Sequence, residues 1–131
     1  NTDDPEYDDV VSDVIADLMN TVAKAISCGV DPSKIIIDPG IGFAKNSEQN
    51  LEIIRRLGEF KKLGHPILIG TSRKSTIGMV LDLPVDQRLE GTAATVALSI
   101  ANGADVIRVH DVKEMSLVAA MTDAIVRGWN R

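Results

Sequence analysis

Asp38, Lys74 and His110 stand at steps of 36 residues, each just past a short apolar run. The runs are Ile35-Ile36-Ile37, Ile67-Leu68-Ile69 and Val106-Ile107. A step of that length holds a loop, a helix and a returning strand, and parallel β/α units deliver the residues beyond neighbouring strand ends to one rim. The first rim segment, Asp38-Pro39-Gly40-Ile41-Gly42-Phe43, pairs a carboxylate with two glycines. Two acceptor oxygens suit a pair of N–H donors on the edge of a guanidine-like heterocycle, and glycines let a flat ligand approach the backbone. The same residues would also serve as a plain strand-to-helix turn with a capping Asp. The second segment, Gly70-Thr71-Ser72-Arg73-Lys74-Ser75, sets two adjacent cations and three hydroxyls at the opening of a helix. Free N–H groups and the helix dipole favour an anion there, Ser75 adds a hydroxyl donor, and Lys74 supplies a point charge that polarises a carbonyl or steadies a leaving anion. A solvated basic turn is the alternative. In the third, Arg108-Val109-His110-Asp111, strand alternation sends Arg108 and His110 to one face, where they would clamp phosphate oxygens or hold a neighbouring carboxylate. His65, before Pro66, belongs to the opposite end of its strand and is predicted to lie outside the site.

Several common chemistries are excluded by spacing. The glycines fit neither the dinucleotide-binding fingerprint nor a Walker A loop. The two histidines, 45 residues apart, make no metal-ligand pair with cysteine, so no protein metal cluster is expected. Arg88-Leu89-Glu90-Gly91-Thr92 reads as structural: an Arg88–Glu90 ion pair leading into a helix in which Gly91 serves close packing.

The elements needed to hold these segments follow from periodicity and punctuation. Asp4-Pro5-Glu6 predicts a helix start, and Val10, Val11, Val14, Ile15, Leu18, Val22 and Ile26 repeat at helical spacing until Cys28-Gly29. Lys34 to Asp38 is the first predicted strand, apolar on both faces as in a buried parallel sheet. Ser47 is predicted to cap a helix with Leu51, Ile54 and Leu57 on its inner stripe, running to Gly64. A strand over 67–70, a short helix over 75–83 and a longer one over 87–102 come next, the last with Ala93, Ala94, Ala97 and Ala101 for close packing. A third strand spans 106–109, and Asp111 with Glu114 predicts a capping box for the final helix. The whole reads α-β-α-β-α-α-β-α: one domain over 1–131 with about three parallel strands, flanking helices and open sheet edges.

With 131 residues, 44% hydrophobic and 25% charged, the chain has an ordinary single-domain, soluble composition. A net charge of −5 argues against nucleic acid or an anionic membrane as the main partner, so any anion must meet a local basic cluster. One cysteine, Cys28, and no long apolar segment point to a reducing cytoplasm.

Asp38-Pro39-Gly40-Ile41-Gly42-Phe43-Ala44-Lys45, Ser72-Arg73-Lys74-Ser75, Arg88-Leu89-Glu90-Gly91-Thr92 and Arg108-Val109-His110-Asp111-Val112, in that order and spacing, resemble the C-terminal half of dihydropteroate synthase. The resemblance implies the C-terminal portion of a TIM (β/α)8 barrel, with strands similar to the sixth to eighth and the N-terminal strands absent. It implies 6-hydroxymethyl-7,8-dihydropterin pyrophosphate and 4-aminobenzoate as substrates and a homodimer through late helices. It also implies magnesium bound with the pyrophosphate, its main protein ligand expected in the absent N-terminal part. On that pattern Asp38 would grip the pterin's amino-pyrimidine edge, Lys74 its ring oxygen and nitrogen, and Gly70 would line the slot. Arg108 and His110 would hold pyrophosphate, Ser75 and Phe43 the aminobenzoate pocket, and Arg73 would also bind substrate. The isolated chain is expected to be inactive. A non-catalytic pterin-binding half barrel, of the kind that serves methyl transfer from folate, is the alternative, disfavoured because it needs no pyrophosphate clamp. A third reading is a phosphate-binding half barrel that self-associates through its open edges.

Overall fold

The computed structural model describes residues 9–42 and 45–129. The helix start expected at Asp4-Pro5 and the candidate Phe43 lie outside the described residues. Helix α1, Val10–Ser27, starts instead from Asp9, whose carboxylate accepts from the N–H groups of Val11 and Ser12. The chain then runs through α2 (Ser47–Arg55), β1 (Leu68–Ile69), α3 (Ser75–Leu81), α4 (Leu89–Ala101), β2 (Val106–Ile107) and α5 (Val112–Arg127).

β1 and β2 pair in parallel, Leu68 opposite Val106 and Ile69 opposite Ile107. The strand expected over 34–38 is reduced to one parallel bridge between Ile37 and Ile67. Its first part is spent in a 3₁₀ turn, Pro32–Lys34, that draws the Ile35 N–H back to the Pro32 carbonyl. The three segments still lie side by side: the Ile37 N–H donates to Pro66, the Leu68 N–H to Ile37, the Val106 N–H to Ile67 and the Arg108 N–H to Ile69. Register is held at its base by Asp105, whose N–H donates to the Ile67 carbonyl at 2.8 Å while its carboxylate accepts from the Ile67 N–H at 3.0 Å.

Because side chains alternate along a strand, this register sorts the sheet into two faces. Ile37, Ile67 and Ile69 are buried among α1, α2 and the 3₁₀ segment Leu57–Leu63, with Val11, Ile53, Leu57 and Phe60 fully covered beside them. Ile36, Leu68 and Val106 face the other way, and Ile36 is 54% exposed. The expectation of a strand buried on both faces is therefore wrong for Ile36: among the described residues, helices cover only one side of this sheet. A second cluster, Val96, Ile100 and Met115, joins α4 to α5.

Local chemistry moved several boundaries. Asn46, one residue earlier than Ser47, caps α2 through a reciprocal pair with Gln49. The helix gives way at Arg56 to the 3₁₀ segment before stopping at Gly64 as expected. Its inner face carries Ile53 besides Ile54 and Leu57, with Leu51 only half-buried, because α2 is wedged between α1 on one side and α3 and α4 on the other. In α4 the covered residues are Thr92, Val96, Ser99 and Ile100, whereas Ala94 and Ala101 are exposed. Gly91 does serve close packing, since a Cβ there would collide with Ile77 of α3.

Arg56 fastens α1 to α2 with all five of its N–H donors. It forks onto Asp9 (2.9 and 3.2 Å), reaches Glu52 at 2.8 Å and forks onto Glu59 (2.7 and 3.1 Å). The Arg56 hydrogen bond is the chief reason the Asp9 carboxyl is held down at about 2 from an ordinary 3.8. Since the folded chain favours the carboxylate, this contribution is complete above the unfolded value and vanishes as pH falls through about 2. Asp9→Asn keeps a capping oxygen and removes the charge. Its melting temperature should fall below that of the unsubstituted chain at neutral pH, and the gap should close between about pH 4 and pH 2 in a thermal-melt series. Asp105→Ala should cost about 1–3 kcal/mol in urea unfolding, because it strands the Ile67 N–H beneath the sheet.

Candidate functional site

The residues on the uncovered face run on, past the strand ends, into Asp38, Gly70, Arg108 and His110, so one register brings all three rim segments together. Arg108 lies directly across Gly70: a Cβ on Gly70 would sit 3.1 Å from one guanidinium nitrogen and 3.2 Å from another. Glycine is needed there for close approach. Gly70, Ser72, Lys74, Arg108, Val109 and His110 line a cleft of about 350 Å³.

Lys74 reaches out of the second segment to the first, its ammonium donating to the Ile41 carbonyl at 2.5 Å. Burial is the main reason its pKa is lowered; the charge of Arg108 adds to this and Asp38 opposes it. Lys45 donates to the Gly40 carbonyl at 3.0 Å and is lowered chiefly by burial, with Asp38 pulling it up and Lys74 down. Lys74 and Lys45 thus share the field of one exposed carboxylate, with Arg108 acting on Lys74 from the third rim segment. The Asp38 carboxylate folds onto its own loop, Oδ1 accepting from the Gly40 N–H at 2.8 Å, which orients it and leaves Oδ2 for another donor. Ser75 is exposed at the first position of α3, and His65 stands before β1, at the far end from the cleft.

Two expected pairings are replaced. Asp111 makes no capping bond to α5; its carboxylate is taken by Arg73, at 2.7 Å to Nη2 and 3.2 Å to Nε. The Arg73 backbone adopts φ of +56°, uncommon for a side-chain-bearing residue, and is braced by Thr92, which accepts its N–H, and by Arg88, which donates to its carbonyl. The expected Arg88–Glu90 ion pair is therefore absent: Arg88 turns away from Glu90 to the carbonyls of Arg73 and Leu83.

Asn50 and Ser72 were not singled out by sequence reasoning as site residues. Asn50, 2% exposed, accepts the Gly42 N–H at 2.9 Å and donates to Thr76 Oγ1 at 2.9 Å, tying the glycine loop to the start of α3. Its signal was a polar residue four positions before Ile54, on the inner side of an amphipathic helix, where burial demands hydrogen-bond partners. Ser72, 5% exposed, sits against His110.

Among the described residues no group of three His, Cys, Asp or Glu side chains stands together to hold a metal ion. With Lys45 and Lys74 acting on the Asp38 carboxylate, the donor set does not fit magnesium. A hollow of about 420 Å³ between α2, α3 and α4 is lined mainly by apolar groups such as Leu51, Ile54, Val80 and Leu98 and lacks the convergent charges of the cleft.

The class this defines is a partial α/β barrel whose rim gathers cations around one carboxylate. The family described as pterin binding enzyme matches residues 1–110, and the chain belongs to it. It is 49% identical over 96% of its length to a dihydropteroate synthase of Bacillus subtilis and 52% identical over 97% to one of Clostridium beijerinckii, covering 44% and 48% of those proteins. The structure of a Clostridium difficile dihydropteroate synthase in the presence of pteroic acid superposes with a TM-score of 0.92 at 52% identity, over 97% of this chain and 49% of that one. A Yersinia pestis dihydropteroate synthase in a sulfonamide drug complex gives 0.94 at 33% identity, over 98% and 47%. The fold is thus part of a TIM barrel, and the chain spans about half the length of the curated relatives it matches.

Asn50→Ala should destabilise the chain by about 1–3 kcal/mol by leaving the buried Thr76 hydroxyl without its Asn50 donor and the Gly42 N–H without its tie to α2. Urea unfolding gives the cost, and amide exchange should quicken at Gly40–Gly42 more than in α1.

Proposed function

We propose that this chain forms the pterin- and pyrophosphate-holding wall of a dihydropteroate synthase. The reaction would join 6-hydroxymethyl-7,8-dihydropterin pyrophosphate to 4-aminobenzoate. The amine nitrogen forms a bond to the pterin methylene carbon, the carbon–oxygen bond to pyrophosphate breaks with its electron pair, and the amine proton leaves to pyrophosphate or solvent. The observation that carries this reading is the meeting of Lys74, Arg108 and His110 in one cleft beside the Asp38 loop, in a chain so similar to a synthase solved in the presence of pteroic acid.

Roles follow from the chemistry of each group. Asp38 Oδ2 accepts from the pterin's amino-pyrimidine edge, Lys74 donates to its ring oxygen and nitrogen, and Gly70 leaves room for the ring. Arg108 and His110 stabilise the charge that develops on the departing pyrophosphate. Ser75, exposed at the start of α3, borders the aminobenzoate pocket. Arg73, engaged by Asp111, contributes to substrate binding mainly by fixing the loop that carries Lys74. Magnesium, where it accompanies pyrophosphate, would be held by the ligand's own oxygens and by groups outside this wall. A homodimer through the late helices draws support from Leu117, Met121 and Ile125, exposed at four-residue spacing along α5. A free, exposed Cys28 suits a reducing cytoplasm. The pterin-binding module for methyl transfer gains less support, because the named relatives are synthases and the cationic cleft would have no anion to meet.

Calorimetric titration of the chain with pterin and pyrophosphate, singly and together, tests the reading. Each should tighten the other, and Arg108→Ala should weaken pyrophosphate by about 10- to 100-fold without altering the fold. The chain alone should form no dihydropteroate, whereas joined to the N-terminal half of the Bacillus subtilis relative it should turn over. A folded, inactive chimera together with independent binding of the two ligands would contradict the synthase reading.

A further inference from the structure

We propose that Ser72 is a positioning residue that fixes the tautomer of His110, so that Nε2 carries the ring proton and Nδ1 is the acceptor. The inference deepens the pyrophosphate-holding role given to His110 and rests on that reading for its functional consequence, though not for its geometry.

Ser72 Oγ accepts the backbone N–H of His110 at 3.1 Å and lies 2.9 Å from Nδ1 of the same residue. These are its two partners among the described residues, and Ser72 is only 5% exposed. A hydroxyl has one proton to donate, and a buried donor left without an acceptor costs about 1–3 kcal/mol. Were Nδ1 protonated it would donate to Oγ, and the hydroxyl proton would be left without a protein acceptor among the described residues. With Nδ1 bare, the hydroxyl donates to it and every group is matched. A neutral imidazole then carries its proton on Nε2, so that nitrogen is the donor available to an anion in the cleft lined by Lys74, Arg108 and His110. The placement is over-determined, because Ser72 holds both the ring and the backbone of His110. It also ties the end of the second rim segment to that of the third across 38 residues of sequence.

The test is long-range proton–nitrogen NMR of the His110 ring in the chain at neutral pH, with His65→Gln leaving a single imidazole. The expected spectrum is that of the Nε2–H tautomer, with Ser72→Ala moving the ring toward a mixture and Ser72→Thr, which keeps the hydroxyl, restoring it. In pyrophosphate titrations Ser72→Ala should weaken binding by about 3- to 10-fold, with the threonine variant recovering most of it. An Nδ1–H ring in the unsubstituted chain, or a tautomer unchanged in folded Ser72→Ala, overturns the proposal. If the alanine variant does not fold, the unsubstituted and threonine spectra still decide. The expected tautomer together with no pyrophosphate binding by any form would leave the positioning intact and refute the anion site.

Discussion

One hydrogen-bonded register governs everything chemical in this chain. Asp105 clasps Ile67 by both its N–H and its carbonyl, Leu68 is set opposite Val106 and Ile69 opposite Ile107, and Ile37 follows through its bridge. A slip of one residue would exchange the faces, driving Arg108 and His110 beneath the helices and turning the isoleucines outward. Burial of Ile37, Ile67 and Ile69 therefore does more than stabilise the sheet. Their burial is what aims Asp38, Gly70, Arg108 and His110 at a common cleft, although the ladder itself is only a few residues long.

Above that register the rim is built by mutual bracing. Asn50 joins the glycine loop to α3, Lys74 crosses to the Ile41 carbonyl, Arg88 and Thr92 hold the turn at Arg73, and Asp111 restrains the Arg73 side chain. Polar groups of the three segments are satisfied largely by one another, so the loops hold a defined relative geometry without long strands beneath them. The site proposed to take a planar ring and a polyanion together would need such preorganisation, since movement of about 1 Å in a catalytic group is expensive.

The order of elements was legible in the sequence because helix periodicity, glycine stops and apolar runs are local signals. The rim was legible because polar residues recur at equal steps past those runs, and the four motifs carried the family. The number of strand residues was not legible: pairing depends on partners distant in sequence, and an isoleucine run looks alike whether it is a ladder or a single bridge. Ile36 shows the same limit, since exposure depends on what covers a face. Asp111 and Arg88 were misread because local rules favoured a cap and a neighbouring ion pair, while tertiary partners 38 and 15 residues away offered stronger ones. Asn50 and Ser72 stood in plain view, yet their work depends on contacts that the linear chain does not display.

The central claim, that a single register assembles one binding wall from three segments, is tested most directly by mapping backbone amide shifts as 6-hydroxymethyl-7,8-dihydropterin pyrophosphate is added. The account predicts concerted changes with one shared affinity at Asp38–Gly42, Gly70–Ser75 and Arg108–His110, with α1 and the outer surface of α5 quiet. Changes confined to one of the three segments, or centred on the apolar hollow between α2, α3 and α4, would contradict it.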